Sequence, residues 1–246
     1  VTVLFVHGVP DTHRLWRPVL DCLGDGDFHA LFLPGLDAPV PEGFDCTMNA
    51  YAGWLEGRLA QACERAGGPV HLVGHDWGAM LVQRVAGLNP ERVRSWAAGG
   101  IAIDEDYVWH DIAQVWQTPG EGEALMAAMD EAAIVQTLME ARIPEARARE
   151  MAAFTNDAAK AAILALYRSA VAVGQDWKDA LPGLAKAEPG LVLWGEHDPY
   201  AAPSMGEKLA ARTGARFHMF EDCGHWWPYE RAEETARLLK SHWAGA

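Results

Sequence analysis

Residues 73–80, Val-Gly-His-Asp-Trp-Gly-Ala-Met (VGHDWGAM), set an acid, Asp76, between two glycines where an apolar run gives way to helix-like spacing. An aspartate in that place has two physical uses. It can cap the new helix, because Asp is a favoured N-cap residue. Alternatively, Gly74 and Gly78 permit a sharp strand-to-helix turn that lifts the central side chain out of the sheet as a reactive group. That is the G-x-S-x-G form with Asp in the middle. Taken alone, the eight residues leave both uses open.

The flanking segments give this junction a fold. "VTVLFVHG" begins with an apolar run, "HGVPD" punctuates a loop, and "LWRPVLDCL" has helical spacing. "HALFLPG" reads as a short buried strand stopped by Pro34 and Gly35, and the Pro- and Gly-rich stretch to Asp45 reads as loop. Thr47 is the expected N-cap of a long helix that ends at Gly67 and Gly68. "VHLVG" is a strand, "GAMLVQRVAGLNP" a helix ended before Pro90, and "RVRSWAAGG" another strand. Continuous apolar strands separated by helices mark a parallel sheet covered on both faces. The expected class is α/β.

From residue 104 to 182 the strand signal stops. Ala, Glu, Met and Leu recur with helical spacing, broken at Pro119 and Pro144. We read 104–182 as an inserted helical cap, and 1–103 with 183–246 as one core domain. Alternation resumes with "LVLWGEHD", a helix from Pro203 to about Thr213, the strand "ARFHMF" and a helix from Arg231 to Trp243.

Composition narrows the partners. The 246 residues are half apolar, enough for a large core without a second domain. Twenty basic against 34 acidic residues give a net charge of −14, which disfavours nucleic acid or an anionic membrane and leaves a small molecule. Cys22, Cys46, Cys63 and Cys223 are irregularly spaced with no C-x-x-C pair, so neither a disulfide framework nor a zinc site is signalled. Reduced thiols, no long apolar run and no visible signal peptide lead us to expect a cytoplasmic protein. No metal cluster or phosphate loop is seen, so no cofactor is expected. Oligomeric state is silent.

Two further residues bear on Asp76. Asp198 in "GEHDPY" follows one buried strand and His225 in "CGHWWP" follows the next. Each alone has a plain reading, Asp before Pro as a turn former and His as a polar loop residue. Together they supply a reactive acid, an orienting acid and a histidine in a fixed order, and ends of parallel strands open onto one crevice.

With these pieces the chain resembles the α/β-hydrolase fold family and its aspartate-nucleophile branch, the epoxide hydrolases and haloalkane dehalogenases. The matching segments are "HGVP" (7–10), "GHDWG" (74–78), "GEHDPY" (195–200) and "CGHWWP" (223–228), spread over nearly the whole chain. No G-x-S-x-G or G-x-C-x-G occurs, so a serine or cysteine esterase would have no nucleophile. Family members usually carry two more strands before H-G-x-P. Their lack implies a shortened fold or a trimmed terminus.

The resemblance implies Asp76 as nucleophile, His225 as general base and Asp198 as its orienting acid, with the backbone N–H groups of Val9 and Trp77 as oxyanion donors. A carboxylate suits displacement at saturated carbon, where halide or a ring-opened epoxide oxygen leaves. In "LYRSAVAVGQDW", Tyr167 matches the cap tyrosine of epoxide hydrolases, and "WQTPGEGEA" resembles their first cap segment. Core packing is the plain alternative for Tyr167.

The partner acid is open among Tyr107, Trp109 and His110. In the dehalogenase alternative, Trp77 with Trp109 or Trp116 would hold halide, whereas Val9 replaces the Asn donor of one subgroup. Trp77 also argues against fluoroacetate-type dehalogenases, which carry Arg there. Trp226, beside His225, is counted with Trp77, Tyr107, Trp109, His110 and Trp116 as substrate-binding. The expected function is opening of a small apolar epoxide to a diol. The alternatives are alkyl-halide hydrolysis and a non-catalytic ligand-binding relative.

Overall fold

A computed structural model describes residues 1–246. Six strands, β1 (Thr2–Val6), β2 (Asp27–Ala30), β3 (Val70–His75), β4 (Val93–Gly99), β5 (Gly190–Gly195) and β6 (Arg216–Phe220), form one sheet. Their order is β2-β1-β3-β4-β5-β6 and every pairing is parallel. This is the α/β class read from the sequence.

The apolar strands are explained by two cores. Val3 and Phe5 of β1 face one core with Val73, Ala97, Leu191 and Leu193, while Leu4 and Val6 face the other with Leu72, Ala98 and Val192. Side chains alternate across a strand, so a sheet buried on both faces is chiefly apolar along each strand, with buried His71 and Ser95 bonded to each other. Helices α1 (Arg17–Leu23) and α13 (Ala232–Ala244) cover one face; α2 (Met48–Ala66) and α3 (Trp77–Leu88) cover the other. Thr47 caps α2 by accepting from the Ala50 N–H, and Gly67 ends it in the left-handed conformation.

Two boundaries differ from expectation. Pairing of β2 covers Asp27–Ala30 instead of "HALFLPG", because β1 ends at Val6 and no neighbour continues the ladder past Ala30. The last helix begins at Ala232, after a short α12 (Trp227–Glu230).

Between β4 and β5 the chain contains no strand. Helices α4 (Asp111–Gln117), α5 (Glu121–Ala128), α6 (Glu131–Glu140), α7 (Glu145–Phe154), α8 (Asp157–Ser169), α9 (Val173–Trp177) and α10 (Leu181–Leu184) fill this stretch. They divide between the cores: Ala113, Ile163 and Tyr167 join the α2/α3 side, whereas Ile134, Leu138 and Met151 join the α1/α13 side. Helix α11 (Pro203–Thr213) then separates β5 from β6. No helix is long and apolar enough to cross a membrane. All four cysteines are free thiols.

Candidate active site

Asp76 lies between the end of β3 at His75 and the start of α3 at Trp77, but it does not cap that helix with its side chain. Its backbone lies at φ 54°, ψ −130°, a region a non-glycine residue occupies only under constraint, at a cost of about 1–3 kcal/mol. The glycines make the turn possible. A Cβ on Gly74 would strike the Gly78 carbonyl, and one on Gly78 would strike the Val6 carbonyl of β1. Helix and strand therefore approach too closely for any larger residue. Gly8 plays the same part at the carboxylate itself, where a Cβ would overlap Asp76.

Freed from capping, the carboxylate is held elsewhere. Oδ1 accepts from the Val9 N–H at 2.8 Å, and Oδ2 lies 3.5 Å from His225 Nε2. The opposite edge of that imidazole donates from Nδ1 to Asp198 Oδ2 at 2.7 Å. Asp198 is itself fixed, its Oδ1 accepting from the N–H groups of Tyr200 (2.9 Å) and Ala201 (3.2 Å). Side-chain exposure is 13% for Asp76, 3% for His225 and zero for Asp198. Behind the imidazole, His75 donates from Nε2 to the His225 carbonyl at 2.8 Å. Burial, reinforced by the neighbouring His225 charge, pushes His75 down to about 3, so it is a neutral support.

The electrostatics form one system. Burial opposes a charged His225, but the carboxylates of Asp198 and Asp76 outweigh it and raise its pKa well above the histidine range. Burial likewise opposes a charged Asp76. The hydrogen bond and charge of His225, with the Trp77 N–H, prevail and hold it below the usual carboxylate value. At neutral pH the pair is a carboxylate beside an imidazolium.

A cavity of about 740 Å³, counting its mouth, lies between the strand ends and the inserted helices. Asp76 and His225 stand on its floor with Val9 and Trp226, and His110, Trp116 and Tyr167 stand on its walls. Met126, Met129, Ile134, Leu138 and Ile163 make the remainder chiefly apolar. Thr137 and Thr155 add no free donors, since each hydroxyl bonds the carbonyl four residues back. No lysine or arginine is among the lining residues.

Three residues assigned to substrate binding do not reach this wall. Trp109 is buried, and its indole N–H is spent on the Ala170 carbonyl at 2.8 Å, which removes it as a halide donor. The Tyr107 ring packs edge-on against Trp109 at 5.0 Å, with its hydroxyl buried and unpartnered. The Trp77 side chain is stacked on Trp109 and packed against Tyr167, behind the wall. Spacing along the chain placed all three near the site; packing around Trp109 draws them into the core behind Tyr167.

Two contributors escaped the sequence reading. Tyr200, two residues past Asp198, lines the cavity with its ring 5.0 Å from His225 and 5.1 Å from His110. Its only signal was adjacency to Asp198. Asp11, just after the "HGVP" loop, is buried, accepts from the Trp226 indole at 3.0 Å and pairs with Arg147 of α7. A partner 136 residues away leaves no local trace.

A parallel sheet whose strand ends gather an acid-histidine-acid relay beneath a cavity defines the α/β-hydrolase class. The chain belongs to the alpha/beta hydrolase family, which matches residues 3–238. It is 28% identical over 244 residues to a 2-hydroxy-6-oxononadienedioate/2-hydroxy-6-oxononatrienedioate hydrolase of Paraburkholderia xenovorans, covering 90% of this chain and 73% of that one. It is 36% identical over 99 residues to epoxide hydrolase 2 of Siraitia grosvenorii, covering 38% of this chain and 30% of that one. Among solved structures, haloalkane dehalogenase DbeA of Bradyrhizobium elkani superposes with a TM-score of 0.81 at 23% identity, over 99% of this chain and 90% of that one. The last likeness speaks to the fold.

Proposed function

We propose that this hydrolase opens small, uncharged, apolar epoxides to diols through a covalent ester of Asp76. The observation that carries the reading is the common wall: a strained, uncapped carboxylate, a doubly anchored imidazole and the Tyr167 phenol border one largely apolar cavity. The partial match to an epoxide hydrolase agrees with it. A dienedioate carries two carboxylates, and a cavity without lysine or arginine offers them no counter-charge beyond His225, which Asp76 and Asp198 already balance.

Each step follows from the charges. With Oδ1 held by the Val9 N–H, Oδ2 attacks an epoxide carbon and the ring C–O bond breaks toward oxygen. Burial, with the Asp76 charge adding to it, holds the Tyr167 pKa far above neutrality, so its phenol carries a proton to give to the leaving oxygen. Esterification also removes the Asp76 charge. One of the two anions that kept His225 protonated is gone, so the imidazolium gives its proton to the phenolate and becomes a base. It then deprotonates water for attack on the ester carbonyl, whose developing oxyanion is Oδ1, beside the Val9 and Trp77 N–H groups. The departing diol oxygen takes the proton back from His225. Finally the Asp76 acid returns its proton to the imidazole, and epoxide plus water has become diol.

One observation favours halide displacement as the second reading. The indole N–H of Trp116, a residue of the cavity wall, is buried without a partner, and its ring packs on Tyr167 at 4.9 Å. A terminal epoxide and a matched alkyl chloride, given in parallel to the wild type and to His225→Gln, separate the two. Diol from the wild type is expected, with an ester accumulating on the Asp76 peptide of the variant by mass spectrometry. Free halide without diol would favour the second reading, and bound substrate with no adduct would exclude both.

A further inference from the structure

Resting on the epoxide reading, we infer that Tyr200 is a second catalytic acid, so that the leaving oxygen is met by two phenols, one from the inserted helices and one from the core, and takes its single proton from one of them. A census of the cavity's donors leads there. The Trp226 indole is bound to Asp11, and the Thr137 and Thr155 hydroxyls are bound to backbone carbonyls. The Trp116 indole is a hydrogen-bond donor but not an acid. His110 caps α4 by accepting from the Ala113 N–H at Nδ1, which puts its single proton on Nε2. Burial lowers its pKa further, so it is a neutral imidazole with no acidic proton to give. Two phenols remain, Tyr167 and Tyr200. Tyr107, the tyrosine that sequence spacing offered as the partner, is packed behind Trp109 and does not line the cavity.

The surroundings of Tyr200 suit the part. Its backbone N–H is bonded to Asp198, and its ring packs edge-on against His225 and Trp226 and at a tilt against His110. The phenol therefore stands in the wall of the cavity that holds Asp76, on the same short loop that orients the imidazole. Burial, with the charges of Asp198 and Asp76, raises its pKa to about 12, so it carries its proton at neutral pH. In the step itself, Asp76 Oδ2 forms a bond to carbon, the ring C–O pair passes to oxygen, and that oxygen takes a proton from either phenol. His225, relieved of the Asp76 charge, reprotonates the phenolate.

The test is single-turnover kinetics on a terminal epoxide, following formation and decay of the Asp76 ester in wild type, Tyr200→Phe and Tyr167→Phe. Phe retains the ring and its packing and removes only the hydroxyl. Tyr200→Phe should slow ester formation by roughly 10- to 100-fold, leave ester decay and substrate Kd within about twofold, and keep the wild-type far-UV circular dichroism spectrum. The double variant should form ester more slowly than either single one. Unchanged ester formation in Tyr200→Phe, or slower decay in place of slower formation, would overturn the assignment. Failure of the wild type itself to form ester would instead overturn the covalent reading on which it rests.

Discussion

Replacing Arg147 by Met tests how the inserted helices are fastened to the site. Arg147 of α7 is 5% exposed and Asp11, beyond the Val9 loop, is 2% exposed; they meet at 2.5 Å. Asp11 also accepts from the Thr12 N–H at 3.0 Å and from the Trp226 indole at 3.0 Å. Removing one partner of a buried pair typically costs about 3–5 kcal/mol, because the other charge is left without compensation. The two remaining donors to Asp11 favour the lower end, about 3 kcal/mol. For a chain of this size each kcal/mol lowers Tm by about 2–4 °C, so a drop of roughly 6–12 °C is expected at pH 7.5. Burial already raises the Asp11 pKa against the pull of Arg147, and losing that cation raises it further. An acid whose folded pKa is raised penalises the fold above that value, and the penalty fades as pH falls. The gap from wild type should therefore narrow as pH falls toward the unfolded carboxylate range. Asp11→Leu with Arg147→Met should recover much of the loss, since an apolar pair leaves no charge unpaired. Thermal unfolding followed by circular dichroism measures all three. A single variant within 2 °C of wild type at pH 7.5, or a gap that widens toward acid, would refute the reasoning.

Asp76→Asn should lower the His225 pKa by about one unit or more, read from imidazole shifts by NMR, because it deletes one of the two anions that raise it. The stability His225 contributes is full below its unfolded pKa near 6.5 and is lost as pH rises through the raised folded value, so alkali should destabilise the wild type over a wider span than the variant. Gly8→Ala should abolish ester formation while circular dichroism still reports a folded chain, since its Cβ would occupy the Asp76 carboxylate's place; retained activity would mean the carboxylate can act from another position.

Much of this was legible in one dimension because its causes are local. A strand buried on both faces is chiefly apolar, as β5 is throughout and β3 is apart from His71 and His75, and the turn at Gly74 and Gly78 leaves no room for a Cβ at either glycine. The order of Asp76, Asp198 and His225 could be read because each follows a recognisable strand, and strands of a parallel sheet end on one side. The inserted helices resisted such reading. Helical spacing says that Trp109, Tyr107 and Tyr167 each have a buried side, but not which neighbour each meets.

By itself, then, the sequence determined the parallel α/β sheet, the sharp turn at Asp76 and the presence of a histidine and a second acid at neighbouring strand ends. Only tertiary structure decided that the Asp76 side chain leaves its helix uncapped to meet Val9 and His225. It also decided that the Trp109 N–H is consumed by Ala170, and that Tyr200 instead of Tyr107 reaches the cavity. The physical reason is range. Backbone sterics and side-chain periodicity act over a few residues, whereas hydrogen-bond partners and cavity walls are chosen by groups up to hundreds of residues apart that meet only when the core is packed.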